Sequence, residues 1–138
     1  MSLKQVMSAL AVSSVLSLPA LASDYLDTST SFSDENKHTK TRVIFVPEGT
    51  AVELPEWSGS DVNAVSRAAE IEEFEGEASQ LTTVIAPEGT KANHLLLAGV
   101  GNPAELSRFE AEKLGASIAA ALKPELESVV FDMRLISN

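Results

Sequence analysis

The sequence predicts an α/β fold, a mostly parallel mixed sheet flanked by helices. The stretch 94–122 (HLLLAGVGNPAELSRFEAEKLGASIAAAL) has the order of a strand, a glycine turn and a helix. Its apolar run is continuous rather than alternating, which is typical of a strand buried on both faces. A further strand is predicted at 128–133 (SVVFDM), and strand, helix and strand in this order imply a right-handed parallel crossover.

The preceding segments supply two more strands and a helix. Residues 42–46 (RVIFV) and 81–86 (LTTVIA) are predicted strands, and each ends in Pro-Glu-Gly, which we interpret as a type I turn after the first strand. The pentapeptides VPEGT and APEGT lie forty residues apart, but the flanking sequences do not match in register. Two strands that end in similar turns therefore explain them better than an internal repeat.

Both helices carry recognisable start signals. The first is predicted over 60–73, with Ser58 or Ser60 as its cap and an apolar stripe of valine and alanine. The second is predicted over 103–122, with Asn102 as its cap, Pro103 at its first position and Glu105 completing a capping-box spacing. Its predicted apolar face consists of Leu106, Phe109, Leu114, Ile118 and Leu122.

Composition excludes several classes of protein. The 138-residue chain has no cysteine, so disulfides and thiolate metal sites are excluded. Its formal net charge is −10 and it has no local cluster of Lys or Arg, which disfavours nucleic acid as a partner. The two histidines, His38 and His94, are too far apart in sequence to indicate a histidine metal site.

The first 22 residues have the pattern of a signal peptide. An uncharged apolar core at 6–18 is followed by Pro19 and by Ala20-Leu21-Ala22, which predicts cleavage between Ala22 and Ser23. The core is too short for a stable membrane anchor. We therefore expect a periplasmic or secreted protein with a polar lead at 23–40, including a candidate edge strand at 25–33, and an α/β domain at 41–138. The alternative is an amino-terminal helix that is retained, in which case the protein is cytoplasmic.

One turn has the spacing of a ligand-binding loop. Gly99, Gly101 and Asn102 lie in a G-x-G-x-x-A pattern between a strand and a helix, where backbone N–H groups can bind phosphate. Pro103 lacks an N–H, and the nearest acidic candidate by topology, Asp132, is thirty-one residues from Gly101. A tight structural turn is therefore the favoured interpretation. The glutamates at 70–77 are expected to form a solvated surface, and the sequence provides no candidate catalytic residue and no candidate metal ligand.

Several segments together resemble a known family. VIFVPEGT, the F-x-G step Phe74-Glu75-Gly76, LTTVIAPEGT, the 94–122 stretch and SVVFDM follow one another as in the amino-terminal domain of the leucyl aminopeptidase (cytosol aminopeptidase) family. The resemblance covers about two-thirds of the chain, from about residue 42 to residue 133. It implies a macro-like domain, which we expect to be incomplete at its carboxy end.

The resemblance also implies that catalysis belongs to a different domain of the family's proteins. Members of the family join this domain to a catalytic domain that binds two divalent metals and removes amino-terminal residues from peptides. The family's N-T-D-A-E-G-R signature does not occur here, so no catalytic position is transferred. We expect a chain without cofactors and without activity of its own, which packs against a catalytic domain or supports a homo-oligomer. The alternative is a module that binds a nucleotide or an ADP-ribose-like ligand at the Gly99–Asn102 turn.

Overall fold

A computed structural model describes Ser31 and residues 39–122 and 128–137. Contacts divide the chain into Met1–Glu35 and Asn36–Asn138, and all the elements described below belong to the second unit. In chain order they are β1 (Thr39–Pro47), α1 (Gly59–Ile71), β2 (Leu81–Ile85), β3 (Ala92–Gly101), α2 (Arg108–Ala121) and β4 (Val129–Asp132). Single turns of 3₁₀ helix lie at Glu88–Thr90 and Pro103–Glu105.

The strands form one mixed sheet in the order β2-β3-β1-β4. β1 is parallel to β3 on one side and to β4 on the other, whereas β2 is antiparallel to β3. The predicted α/β fold is confirmed. The parallel strands β3 and β4 both pair with β1, which lies between them. The connection from β3 through α2 to β4 therefore crosses over β1.

The two faces of the sheet carry different apolar layers. On one face, Ile44 and Leu97 are fully buried and cluster with Val65 and Ala69 of α1. On the other face, Val43, Phe45, Leu96, Ala98 and Val100 are buried, and α2 contacts β3. Burial on both faces explains why β1 and β3 read as continuous apolar runs.

Helix α1 begins as predicted at one of its two serines. Ser58 is the cap: its hydroxyl oxygen accepts a hydrogen bond from the Asp61 N–H, and the Asp61 carboxylate accepts one from the Ser58 N–H. This reciprocal capping box satisfies two N–H groups that the helix leaves without partners. Ile71, the last residue of α1, is 70% exposed, whereas Phe74 beyond the helix is buried in the core.

The predicted helix over 103–122 is wrong in its first turn. Asn102 caps only the 3₁₀ turn, through a 3.1 Å bond from the Ala104 N–H to its Oδ1. α2 begins after Ser107, which forms a capping box with Glu110 rather than with Glu105. The capping-box spacing occurs twice within the nine residues 102–110, and the structure uses the second occurrence.

The predicted apolar face of α2 is also wrong at Phe109, which is 74% exposed. Leu114, Ile118 and Leu122 follow at intervals of four residues and are buried. A helix turns about 100° per residue, so Phe109 lies about 140° around the axis from Leu114. Leu106 precedes the helix and is half-buried.

The predicted type I turn after β1 is a type II turn. The Thr50 N–H donates to the Pro47 carbonyl at 3.1 Å, and Gly49, the third residue of the turn, has a φ of +71°. Glu48, the second residue, does not have a positive φ, so the positive φ at the third residue makes the turn type II rather than type I′ and explains the glycine.

Candidate functional site

The Gly99–Asn102 turn lies at the end of β3, as the sequence predicts, but its N–H groups face the protein. The Gly99 N–H donates to the Gln80 carbonyl at 2.8 Å, and the Gly101 N–H donates to the Gly76 carbonyl at 2.9 Å. Phosphate recognition requires N–H groups that point to a ligand. These two already have partners within the domain.

The glycines of the turn are explained by the close approach of residues 76–80. A Cβ added to Gly99 would lie 2.1 Å from the Glu77 carbonyl oxygen. Gly101 has a φ of +63°, a conformation that favours glycine, and a Cβ there would lie 3.2 Å from the Ala78 Cβ. Close packing of the loop therefore explains the G-x-G spacing, and the structure does not support the ligand-binding alternative.

Gln80 organises the loop that covers this turn. Its Oε1 accepts hydrogen bonds from the backbone N–H groups of Glu75 at 2.9 Å, Gly76 at 3.1 Å and Glu77 at 3.3 Å. Its Nε2 donates to the Glu73 carbonyl at 2.8 Å. These hydrogen bonds hold the F-x-G step in place. Its glycine lies close against β1, because a Cβ added to Gly76 would lie 2.7 Å from the Pro47 carbonyl oxygen. Sequence reasoning missed Gln80, because a glutamine in a polar loop carries no distinguishing signal.

A cluster of four charged side chains lies on the α1 side of the sheet and was also missed from the sequence. Arg42 of β1 is 1% exposed, and its Nη1 donates to Glu56 Oε1 at 3.1 Å. Arg134 binds both oxygens of the same carboxylate, at 2.8 and 2.7 Å. It also donates from Nε to Asp132 Oδ1 at 2.9 Å. The described members of the cluster are two arginines and two carboxylates, whose formal charges balance.

These contacts determine how Glu56 titrates. Burial acts to raise its pKa, but the hydrogen bonds and charge of Arg134, with a hydrogen bond from Arg42, lower the pKa from 4.5 to about 2. The pKa of Arg134 is raised above its ordinary value, chiefly by hydrogen bonds to Asp132 and Glu56. Glu56 is therefore ionised at neutral pH and held by two guanidinium groups, which leaves it unsuited to donate or accept protons in catalysis.

The remaining residues considered in the sequence analysis are the glutamates at 70–77 and the two histidines. The glutamates at positions 70, 72, 73, 75 and 77 are all exposed, as expected for a solvated surface. His94 is half-buried in β3, while His38 lies outside the described residues. Within 39–122 and 128–137, no three His, Asp or Glu side chains come together in a group that could hold a metal ion.

Across the same described ranges, no helix is both long enough and apolar enough to cross a membrane. Residues 1–22 and the predicted cleavage between Ala22 and Ser23 lie outside the described part of the chain. The candidate edge strand at 25–33 also lies outside it, apart from Ser31, which does not belong to a strand.

The chain forms a small α/β domain in which the N–H groups of the glycine turn are hydrogen-bonded within the fold, so the turn serves packing. Comparison with known proteins identifies the family. Residues 43–137 match the model of the amino-terminal domain of the cytosol aminopeptidase family, and the chain belongs to that family. The resemblance seen in the sequence is confirmed. No solved structure matches the chain significantly.

Curated relatives agree with the family model. A probable cytosol aminopeptidase of Rhodopseudomonas palustris (strain BisA53) is 42% identical over 71 residues, which cover 51% of this chain and 14% of that protein. The probable cytosol aminopeptidases of Nitrobacter winogradskyi and Sinorhizobium fredii are 34% and 32% identical over 79 and 85 residues. Those matches cover 57% and 62% of this chain. The chain thus spans only about one-sixth of the length of each of these two relatives, 16% in both cases.

The predicted periplasmic or secreted location is wrong. The family and the relatives are described as cytosol aminopeptidases, and that description is at odds with export. The expectation depended on a short apolar segment with small residues after it, and such a pattern also occurs in segments that are not signals for secretion.

Proposed function

We propose that this chain acts in the cytoplasm as the non-catalytic amino-terminal domain of a cytosol aminopeptidase, where it packs against the catalytic domain and supports assembly. The observation that carries the proposal is the family match over 43–137. The related proteins are named aminopeptidases, and this domain corresponds to about 14–16% of their length in the three relatives described above. Most of each relative therefore lies outside the matched segment and is available to carry the reaction.

The polar groups of the domain support a role in packing. Glu56 and Asp132 are bound to arginines, and the N–H groups of Gly99 and Gly101 are bound to backbone carbonyls. Groups that are already satisfied within a fold contribute little to binding a substrate. The domain therefore supplies shape and surface rather than reacting atoms.

The residues present do not fit the pair of divalent metals that the family resemblance implies. A two-metal site needs several carboxylates held around ions about 3.5–4 Å apart. The buried carboxylate of Asp132 and the half-buried carboxylate of Glu56 share their oxygens with guanidinium groups instead. We assign metal binding to the part of the relatives that this chain does not match.

Exposed apolar side chains support a surface that packs against another domain. Phe109 is 74% exposed on α2, and Ala116 and Ala120 are exposed on the same helix. A helix with apolar residues outside its core-facing stripe is typical of one that has protein on more than one side.

A chimaeric enzyme tests the proposal. Residues 43–137 would replace the matching segment of the Rhodopseudomonas palustris relative, and the same relative with that segment deleted would be the reference. We expect the chimaera to recover the oligomer and the leucyl-p-nitroanilide hydrolysis that the deletion loses. A chimaera that assembles no better than the deletion would contradict a packing role.

The chain alone supplies the second part of the test. Purified protein assayed with leucyl-p-nitroanilide and Mn²⁺ or Zn²⁺ is expected to show no turnover. Turnover that co-purifies with the chain and is lost on addition of a chelator would overturn the non-catalytic assignment.

A further inference from the structure

β4 and the residues that follow it lie at one edge of the sheet. Among the described strands, β4 is a four-residue edge strand that pairs with β1 alone, through Thr41–Ile44. Residues 133–137 form a turn closed by a 3.1 Å bond from the Ile136 N–H to the Met133 carbonyl. Leu135 is partly buried against the core, and the Phe131 ring stacks on Phe45 with 6.4 Å between centroids. We call residues 129–137 the strap.

The charged cluster divides at the boundary of the strap. Asp132 and Arg134 both belong to the strap and bind each other, also through the Arg134 N–H, which donates to Asp132 Oδ1 at 3.2 Å. Arg42 and Glu56 both belong to the body of the domain and bind each other at 3.1 Å. Each side of the boundary therefore holds one cation and one anion that are paired locally.

Among the charged side chains of the described residues, the contact across the boundary is the two-pronged one between Arg134 and Glu56. It is partly exposed, with 44% of the Arg134 side chain and 20% of the Glu56 side chain open to solvent. We propose that the strap opens from the sheet as one unit, with the Glu56–Arg134 ion pair as its latch.

Electrostatics explains why this opening is accessible. Removing one partner of a buried ion pair is costly because it leaves a charge buried and unpaired. When the strap leaves, Arg42 keeps Glu56 and Arg134 keeps Asp132, so neither arginine loses its last carboxylate. The opening breaks one partly exposed ion pair, the short ladder of β4, the Phe131–Phe45 stack and the packing of Leu135 and of the half-buried Val129 and Val130.

Local stability agrees with the same division. Elements with few buried apolar contacts and a short ladder open before the core does. In β4, Val129 and Val130 are half-buried and Phe131 is 44% exposed, whereas every residue of β3 from Leu95 to Gly101 is buried. Opening of the strap uncovers the β1 edge at Thr41–Ile44, where backbone groups become free to pair with another strand.

Hydrogen exchange of the full chain, read by mass spectrometry, tests the latch. In Arg134→Ala we expect amides of 129–137 to exchange about tenfold faster, while peptides from β3 keep the rate of the unsubstituted protein. Arg134→Lys keeps a cation beside Asp132 but cannot make two parallel hydrogen bonds to Glu56, so it should give a smaller increase in the same peptide. Arg108→Ala is the matched control, since it breaks the exposed Arg108–Glu112 pair on α2 and should leave the strap unchanged.

Two outcomes would overturn the proposal. Equal acceleration of the strap and of β3 would mean that β4 unfolds only with the whole domain. An unchanged rate for the strap in both Arg134 variants would mean that the ion pair does not hold it.

Discussion

Two copies of the tetrapeptide Pro-Glu-Gly-Thr end β1 and follow β2, and they fold differently. In both, the threonine N–H donates to the proline carbonyl, at 3.1 Å in 47–50 and at 3.0 Å in 87–90. The first copy is a type II turn with Gly49 at φ +71°. The second continues as a 3₁₀ helix, because the Lys91 N–H also donates to the Glu88 carbonyl, and the left-handed residue is Lys91 at φ +57°.

The neighbours of the two turns account for the difference. The Gly49 N–H donates to the Glu75 carbonyl at 3.1 Å, which draws the first turn toward the loop that follows α1. Thr90 in the second turn is fully buried, and its hydroxyl donates to the Pro87 carbonyl at 2.6 Å, whereas Thr50 is exposed. Tertiary contacts therefore select the conformation of a sequence that is compatible with both.

The largest effect is expected where the first turn meets the 76–80 loop. Gly76 has a φ of +80°, and an added Cβ would lie 2.7 Å from the Pro47 carbonyl oxygen. Gly76→Ala combines backbone strain with a clash against main chain that cannot rotate away, so it should lower the free energy of unfolding by about 3–4 kcal/mol. Urea denaturation measures it, and a loss below about 1 kcal/mol would contradict the close approach.

The threonines should differ although their local sequences match. Thr90→Ala removes a buried methyl group and a buried hydrogen bond, for an expected loss of about 2 kcal/mol. Thr50→Ala, its matched control, should change the free energy of unfolding by less than about 0.5 kcal/mol. Equal losses in the two variants would refute the distinction between the turns.

Gly89 should be sensitive because of Asp61. A Cβ added to Gly89 would lie 2.2 Å from Asp61 Oδ2, so Gly89→Ala must displace the carboxylate that completes the α1 capping box. We expect a loss of about 1.5 kcal/mol, within the range for removing a cap. In the Asp61→Ala background the same substitution should cost almost nothing, and additive losses in a double-mutant cycle would rule out this contact.

Gly49 should show the smallest of these losses. It needs a positive φ, but no atom lies within 4 Å of an added Cβ. Gly49→Ala should cost about 1 kcal/mol and Gly49→Asn less, because asparagine tolerates the left-handed conformation. Thermal unfolding of the two variants measures the difference, and a Gly49→Asn variant less stable than Gly49→Ala would show that side-chain space matters there.

Local patterns predict part of this molecule. The apolar runs locate β1 and β3, and the serines before residue 61 locate the start of α1, because burial and capping are encoded within a few residues. The direction of β2 could not be predicted, because strand direction depends on which strand it pairs with. The start of α2 could not be predicted either, because two capping sequences compete for it. The Arg134–Glu56 contact joins residues 78 positions apart, so no local pattern announces it.

The same distinction applies to the candidate site. The sequence locates Gly99 and Gly101 in a turn, but a phosphate-binding loop and a tightly packed turn share that spacing. Residues 76–80 decide between them, and their approach depends on Gln80 and on the φ of Gly76.

Amide hydrogen exchange of Gly99 and Gly101, followed by NMR in the full chain, measures most directly whether this turn is internal packing. The hydrogen bonds to Gln80 and Gly76 predict that both amides exchange as slowly as those in the middle of β3. Fast exchange at both glycines would contradict the structural assignment and return the turn to the candidates for ligand binding.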